Sequence, residues 1–206
     1  MRLALVAVCL TPAVASAQSA ARDSVVYLIS PASRLEVRTG RAGLLSFAGH
    51  EHVIRARAFS GRVVYHPDAP AASRVEVTVL TGSLEVLTPP DTVEIRKVTA
   101  AMRTEVLDVA RYPEIRFVSR TVAPSGAGLR VVGALTLVGR IRDVSVDVGL
   151  AVRADTLRAT ATFAVKQSDF GITPYRGGPA GTVRVADTVR FQILAVAVRQ
   201  TGRSNP

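Results

Sequence analysis

Two of the three histidines in this chain fall in one segment, Gly49-His50-Glu51-His52. Histidines at i and i+2 share one face of an extended segment, near enough for both to ligate one metal ion. A metal centre needs a third and usually a fourth ligand. His66 is the only other histidine, so carboxylates would have to complete the set. The other reading is a polar strand end whose imidazoles hydrogen-bond to backbone or to a ligand head group. The single cysteine, Cys9, lies in the N-terminal apolar run. No G-x-S-x-G elbow, no G-x-G-x-x-G after a strand and no P-loop occurs.

The elements that must position these residues are written in alternation. Along Val144, Val146, Val148, Leu150 and Val152 every second residue is apolar, and Asp143, Ser145, Asp147 and Arg153 keep mostly to the other parity. Side chains on a strand point to opposite faces in turn, so this is a sheet with one dry and one wet face. The region 129–172 holds three such runs divided by short turns, a meander that can curl and close. Arg34–Arg38, Ala58–His66, Ser73–Leu80, Ile115–Val122 and Val189–Val198 repeat the pattern, giving about eight to ten strands. Valine dominates the apolar set, and its branched Cβ favours pleated strands.

The period changes once. After Pro89-Pro90, Asp91 and Glu94 stand as a capping box, and Ile95, Val98, Met102 and Val106 recur at helical spacing while Arg96, Lys97, Arg103 and Glu105 face away. This predicts one amphipathic helix over about 91–107, covering or plugging the sheet. Thr81 to Pro90 reads as extended. The fold class is therefore all-β, a single domain over 25–198, between a polar leader at 18–24 and a disordered tail at 199–206.

At 206 residues, with 48% hydrophobic and 20% charged residues, the chain is globular and long enough for one well-buried domain. Arg2, the apolar run Leu3–Leu10 and Ala15-Ser16-Ala17 read as a secretory signal over 1–17, which places the mature protein in the periplasm or outside the cell. Cleavage removes Cys9, so the fold rests on its core with no disulfide. Formal net charge is +10, from 26 Lys+Arg against 16 Asp+Glu. Export and the lack of a basic strip interleaved with aromatics argue against nucleic acid, and an arginine-rich solubilising surface is the plainest account.

Five pieces, in order, resemble the YceI-like, periplasmic polyisoprenoid-binding proteins. They are Ser30-Pro31-Ala32-Ser33-Arg34-Leu35-Glu36, Phe59-Ser60-Gly61-Arg62-Val63, Tyr112-Pro113-Glu114-Ile115-Arg116-Phe117, Gly133-Ala134-Leu135-Thr136-Leu137-Val138-Gly139 and Lys166-Gln167-Ser168-Asp169-Phe170-Gly171-Ile172. Ser33 stands where the family commonly has a histidine, and Lys166 where it has an arginine. The His50/His52 pair is similar to a family branch with a G-H-x-H segment.

The resemblance implies an antiparallel, roughly eight-stranded, lipocalin-like β-barrel with a long isoprenoid chain in its lumen. The residue pattern agrees, because a closed sheet of about eight strands leaves room for one slender ligand. Val37, Phe47, Phe59, Val77, Phe117 and Leu135 are expected to face that lumen. So are Leu137, Val148, Phe163, Phe170 and Phe191. His50, His52 and Lys166 are the expected head-group contacts. The expected partner is a long-chain amphipathic lipid, with transient contact at a membrane surface, no cofactor, no catalytic residues, and a monomer or homodimer as the assembly. Two rivals stand beside this carrier: a metal-assisted hydrolase using His50, His52 and a carboxylate, and a ligand-free stress or structural barrel with a solid core.

Overall fold

The computed structural model describes residues 24–42, 51–88, 92–177 and 183–201. The signal segment, Phe47, His50, Asp91 and the last five residues of the tail lie outside the described residues. The chain forms twelve strand segments: β1 (Val25–Ile29), β2 (Arg34–Ala42), β3 (Val53–Ala56), β4 (Phe59–Tyr65), β5 (Arg74–Leu80), β6 (Leu84–Val86), β7 (Glu114–Ser125), β8 (Gly128–Leu137), β9 (Arg140–Arg153), β10 (Thr156–Lys166), β11 (Arg176–Gly177) and β12 (Val183–Arg199).

These make one antiparallel, eight-stranded barrel. The circuit runs β1-β4-β5-β7-β8-β9-β10-β12 and returns to β1. At the other end of the barrel the circuit is carried on from β12 by β2, β3 and β6. The segment count exceeds eight because three strands are each broken in two, at Ser30–Ser33, at Arg57–Ala58 and at Thr81–Ser83, and because the short β11 pairs with β12 off the circuit.

Two of these breaks have a clear local cause. Pro31 has no N–H to give a ladder and stops β1. Across this gap the Val196 carbonyl accepts from the Ser30 N–H (2.8 Å) and from the Ser33 hydroxyl (3.1 Å), and the Ser33 hydroxyl accepts from the Val196 N–H (2.9 Å), supplying the half of the rung that the backbone lacks. At Thr81–Ser83, where extended chain was expected, the backbone makes a 3-10 turn instead. Buried Thr81 donates its hydroxyl to the Tyr112 carbonyl at 2.8 Å and its N–H to the Pro113 carbonyl at 2.9 Å, which bends the chain onto the Tyr-Pro segment.

The helix is present as α1 (Thr92–Ala101), continued by a π turn over Met102–Val106. The wider turn sets both Met102 and Leu107 into the core, at 6% and 8% exposure. Arg103, expected to face away, turns back instead and donates to the Gly82 and Leu84 carbonyls at 3.0 and 3.4 Å. The helix lies over the end where β6 and β7 do not pair, and Ile95 and Val98 pack on the core there. At the far end β12 runs through Arg199, and the Gln200 N–H donates to Val26, so ordered chain passes the expected tail boundary at 198.

The long meander β7-β8-β9-β10-β12 forms more than half of the wall. β10 and β12 share eleven register pairs, from Thr156↔Val198 to Lys166↔Thr188. β8 turns into β9 through Val138 and Gly139, both with positive φ (48° and 68°), the geometry of a two-residue hairpin matched to strand twist. A Cβ at Gly139 would lie 2.7 Å from the Tyr112 ring, so this turn is also the seat of the Tyr-Pro segment.

Gly133 has a different reason: a Cβ there would meet the Phe117 ring at 2.4 Å and the Val118 carbonyl oxygen at 2.7 Å. The bare backbone is what lets Phe117 lie across the lumen wall. Gly133→Ala is accordingly expected to cost about 1–3 kcal/mol in urea unfolding, the usual range for overpacking.

Candidate functional site

Inward side chains alternate along every strand, and their sizes decide what the barrel encloses. β10 presents Leu157, Ala159, Ala161 and Phe163 inward, and β12 presents Phe191, Ile193, Ala195 and Ala197. Alanine therefore stands at four neighbouring positions on two paired strands. Opposite them, β5 brings Val75, Val77 and Val79, and β8 brings Leu129, Val131 and Leu135. The result is a cavity of about 240 Å³. From Leu157 to Phe163 it follows about 20 Å of strand, at roughly 3.3 Å per residue.

Aliphatic and aromatic side chains make almost all of the wall. The described polar members are Glu36, Tyr65, Ser73 and Arg74. Glu36 is on the outward parity, buried to 8% exposure, and its Oε1 accepts from Arg55 Nε and Nη2 at 2.8 and 2.6 Å. Its carboxylate is thus spoken for outside the lumen. Tyr65, Ser73 and Arg74 cluster at the β4–β5 connection, at one end of the barrel.

Packed side chains stand at both ends. One floor is Tyr27 with Leu157 and Ala197, all under 4% exposed. The opposite plug is Phe170, at 1%, with Leu137, Met102 and Leu107. Phe170 is delivered by the 3-10 turn Gln167–Phe170, which ends in Gly171 at φ 72°. Gln167 is buried and donates Nε2 to the Ala186 carbonyl at 2.9 Å, and the Ser168 N–H and hydroxyl donate to the Asp187 carboxylate at 2.8 and 2.6 Å. The Asp-Phe-Gly segment thus works as a clasp holding an aromatic plug.

The expected lumen residues separate into two groups. Val37, Val77, Phe117, Leu135, Val148, Phe163 and Phe191 line the cavity. Phe163 and Phe191 pair directly across β10 and β12 with stacked rings 4.7 Å apart. Phe59, Leu137 and Phe170 instead pack in the core around the plug. Phe47 lies outside the described residues.

The expected head-group residues are placed as follows. His52 is buried, with Nδ1 2.8 Å from the Thr88 carbonyl oxygen; a carbonyl only accepts, so Nδ1 carries the proton and donates. Its backbone N–H donates to Thr39 Oγ1 at 3.1 Å and its carbonyl accepts from the Thr39 N–H at 3.0 Å, so His52 ties β2 and β3 to the segment at Thr88. Lys166 is exposed at the end of β10, on the parity opposite to Val165 and beside Asp187. His50 lies outside the described residues. Among the described residues, no three of His, Cys, Asp and Glu gather around one point.

The alanines at 159, 161, 195 and 197 were legible as small residues on alternating positions, yet nothing in one strand says that two such runs will be paired in register. The sequence carried no sign of the Tyr27 floor, because a lone tyrosine in a five-residue strand has no distinguishing pattern.

A model of the YceI-like domain matches residues 31–197. A UPF0312 protein of Enterobacter sp. (strain 638) is 31% identical over 121 residues, covering 56% of this chain and 60% of that protein's own length. Among solved structures, BcnA of Burkholderia cenocepacia superposes with a TM-score of 0.65 at 22% identity, over 82% of this chain and 99% of that one. A polyisoprenoid binding domain from Saccharophagus degradans gives a TM-score of 0.57 at 14% identity, over 85% and 99%. These likenesses are to the fold.

The clasp has a pH signature. The Ser168 hydroxyl and N–H hold the Asp187 carboxyl below its ordinary value of 3.8. A depressed pKa in the folded state adds stability while the group is charged in both states, and that contribution goes as pH falls through the folded value. The thermal stability gap between the protein and Asp187→Asn should therefore be constant from neutral pH down to about pH 5. It should close as pH drops from 3.8 downward. A gap unchanged at low pH would contradict the carboxylate's role.

Proposed function

The chain belongs to the YceI-like family, and from that premise we propose that it is a periplasmic or secreted binding protein that carries a polyisoprenoid or similar long-chain amphipathic lipid in the barrel lumen. The observation that carries the reading is the apolar cavity kept open by Ala159, Ala161, Ala195 and Ala197. A barrel of this strand number can be filled by its own side chains; this one has its bulk at the ends and alanine in the middle. Each buried CH₂ of a guest gains about 0.8 kcal/mol, so a chain of several isoprene units has a large gross driving force before its ordering cost.

Binding, and not catalysis, is what such a wall suits. It offers a hydrocarbon tail many contacts, and of its few polar members Glu36 is held by Arg55 while Tyr65, Ser73 and Arg74 stand at one end. The N-terminal apolar run and its Ala15-Ser16-Ala17 end support export. Contact with a membrane surface would follow from the ligand's source, and the assembly is proposed as a monomer or homodimer. His50, His52 and Lys166 remain proposed head-group contacts; in the described part of the chain, His52 already spends its Nδ1–H on Thr88.

Filling the lumen tests this without touching the fold's hydrogen bonds. Ala195→Trp is expected to lower the affinity for cis-parinaric acid, a fluorescent fatty acid, by at least about tenfold, equivalent to about 1.4 kcal/mol. Circular dichroism should show the barrel intact. Undiminished binding in a folded Ala195→Trp protein would mean that the probe lies elsewhere.

A further inference from the structure

Besides the β6–β7 gap that the helix covers, one seam of the barrel wall is only half zipped. β9 and β10 pair from Val148↔Ala161 to Arg153↔Thr156 and no further. On their other sides the same two strands stay paired much longer, β9 with β8 from Arg140 and β10 with β12 to Lys166. Residues 140–147 and 162–166 thus run past one another with no register pairing between them among the described residues. The backbone groups of a strand point alternately to its two neighbours, so each edge turns part of its set into the gap.

A cleft of about 290 Å³ occupies that gap, lined among others by Arg142, Ser145, Ala164 and Asp169 outside and by Val144 and Phe170 toward the core. The lumen begins at the next inward positions down the same strands, Val146 and Val148 on β9 and Ala161 and Phe163 on β10. Cleft and lumen therefore adjoin across the seam, with Val144, Val165 and Phe170 between them.

We infer that this seam is the doorway by which the tail of an amphipathic ligand passes into and out of the lumen, its anionic head held during that passage in the outer cleft at Arg142 and Ser145. The inference rests on the lumen-binding reading above. Packed side chains crowd both barrel ends. Opening the wall anywhere along a continuous ladder would strand backbone donors and acceptors, whereas here no rung has to break. The gate is a single short turn, hinged on the β12 side by Gln167 to Ala186 and by Ser168 to Asp187. Arg142 gives one donor to the Ile141 carbonyl at 2.9 Å and keeps others for phosphate or carboxylate oxygens. Of the two acids at the cleft, Asp143 is engaged by Arg120 at 3.3 Å, and Asp169 stands on the gate.

Were the ladder to continue, Ser145 would pair with Ala164, three rungs beyond Val148↔Ala161. The test is the double variant Ser145→Cys/Ala164→Cys in a Cys9→Ser background, joined by oxidation or by a short bis-maleimide. The oxidised protein should take up and release cis-parinaric acid at least about tenfold more slowly than the same sample after reduction, about 1.4 kcal/mol in barrier. Equal rates in the joined and open forms would overturn the doorway and leave lumen binding standing. No uptake by the open form would overturn lumen binding, and the doorway with it. Amide hydrogen exchange reads the seam independently of any cross-link: residues 142–147 and 162–166 should exchange faster than 148–153. Uniform protection along both strands would contradict the open seam.

Discussion

An eight-stranded closed sheet has a fixed bore, and what fills the bore decides what the protein can do. Here the deciding contact is the register of β10 against β12, which sets Ala159 directly opposite Ala195 and Leu157 opposite Ala197. Slipping either strand by one residue would turn the alanines out and bring Thr160, Thr162 and Gln192 in. Eleven consecutive register pairs hold that alignment. The lumen is thus a consequence of backbone pairing as much as of side-chain choice.

The rest of the chain manages the two ends of that bore. Three strands break at proline or tight turns, and these breaks let the sheet bend at one level without losing its circuit. Where a rung is lost, a side chain replaces it, as Ser33 does for Val196. The helix and its π turn cover the end where β6 leaves β7, and the Phe170 clasp closes the same end from the β10 side. The exposed ion pairs on the outer face, such as Arg130 with Asp147 and Arg116 with Glu76, lie in solvent and add little. Stability resides in the two packed ends and in the ladders between them.

Much of this was legible in the residues. Alternation found the strands because each has one wet and one dry face. The switch to helical spacing at Ile95, Val98 and Met102 found the helix. The resemblance supplied the closure, which no single strand announces. Phe117, Phe163 and Phe191, inward by parity, line the cavity. Parity could not tell lumen from plug, because Phe59 and Leu137 have the same inward parity and differ only in height along the barrel, while Phe170 is delivered by a turn. It also could not see that His52 would be satisfied by Thr88, a partner 36 residues away in sequence. Arg103 broke the helical pattern for a similar reason: nearby carbonyls at Gly82 and Leu84 needed a donor, and tertiary contact overrode the expected face.

Carrying a lipid requires a space that is dry, long and reachable. The alanine bands give the space and the valine wall keeps it dry. The measurement that bears most directly on the claim is native mass spectrometry of protein purified from its own host, before and after organic extraction. The account predicts an excess mass of one lipid per chain that disappears on extraction. A chain that flies at its bare mass from the outset, with the lumen dry and unoccupied, would contradict it.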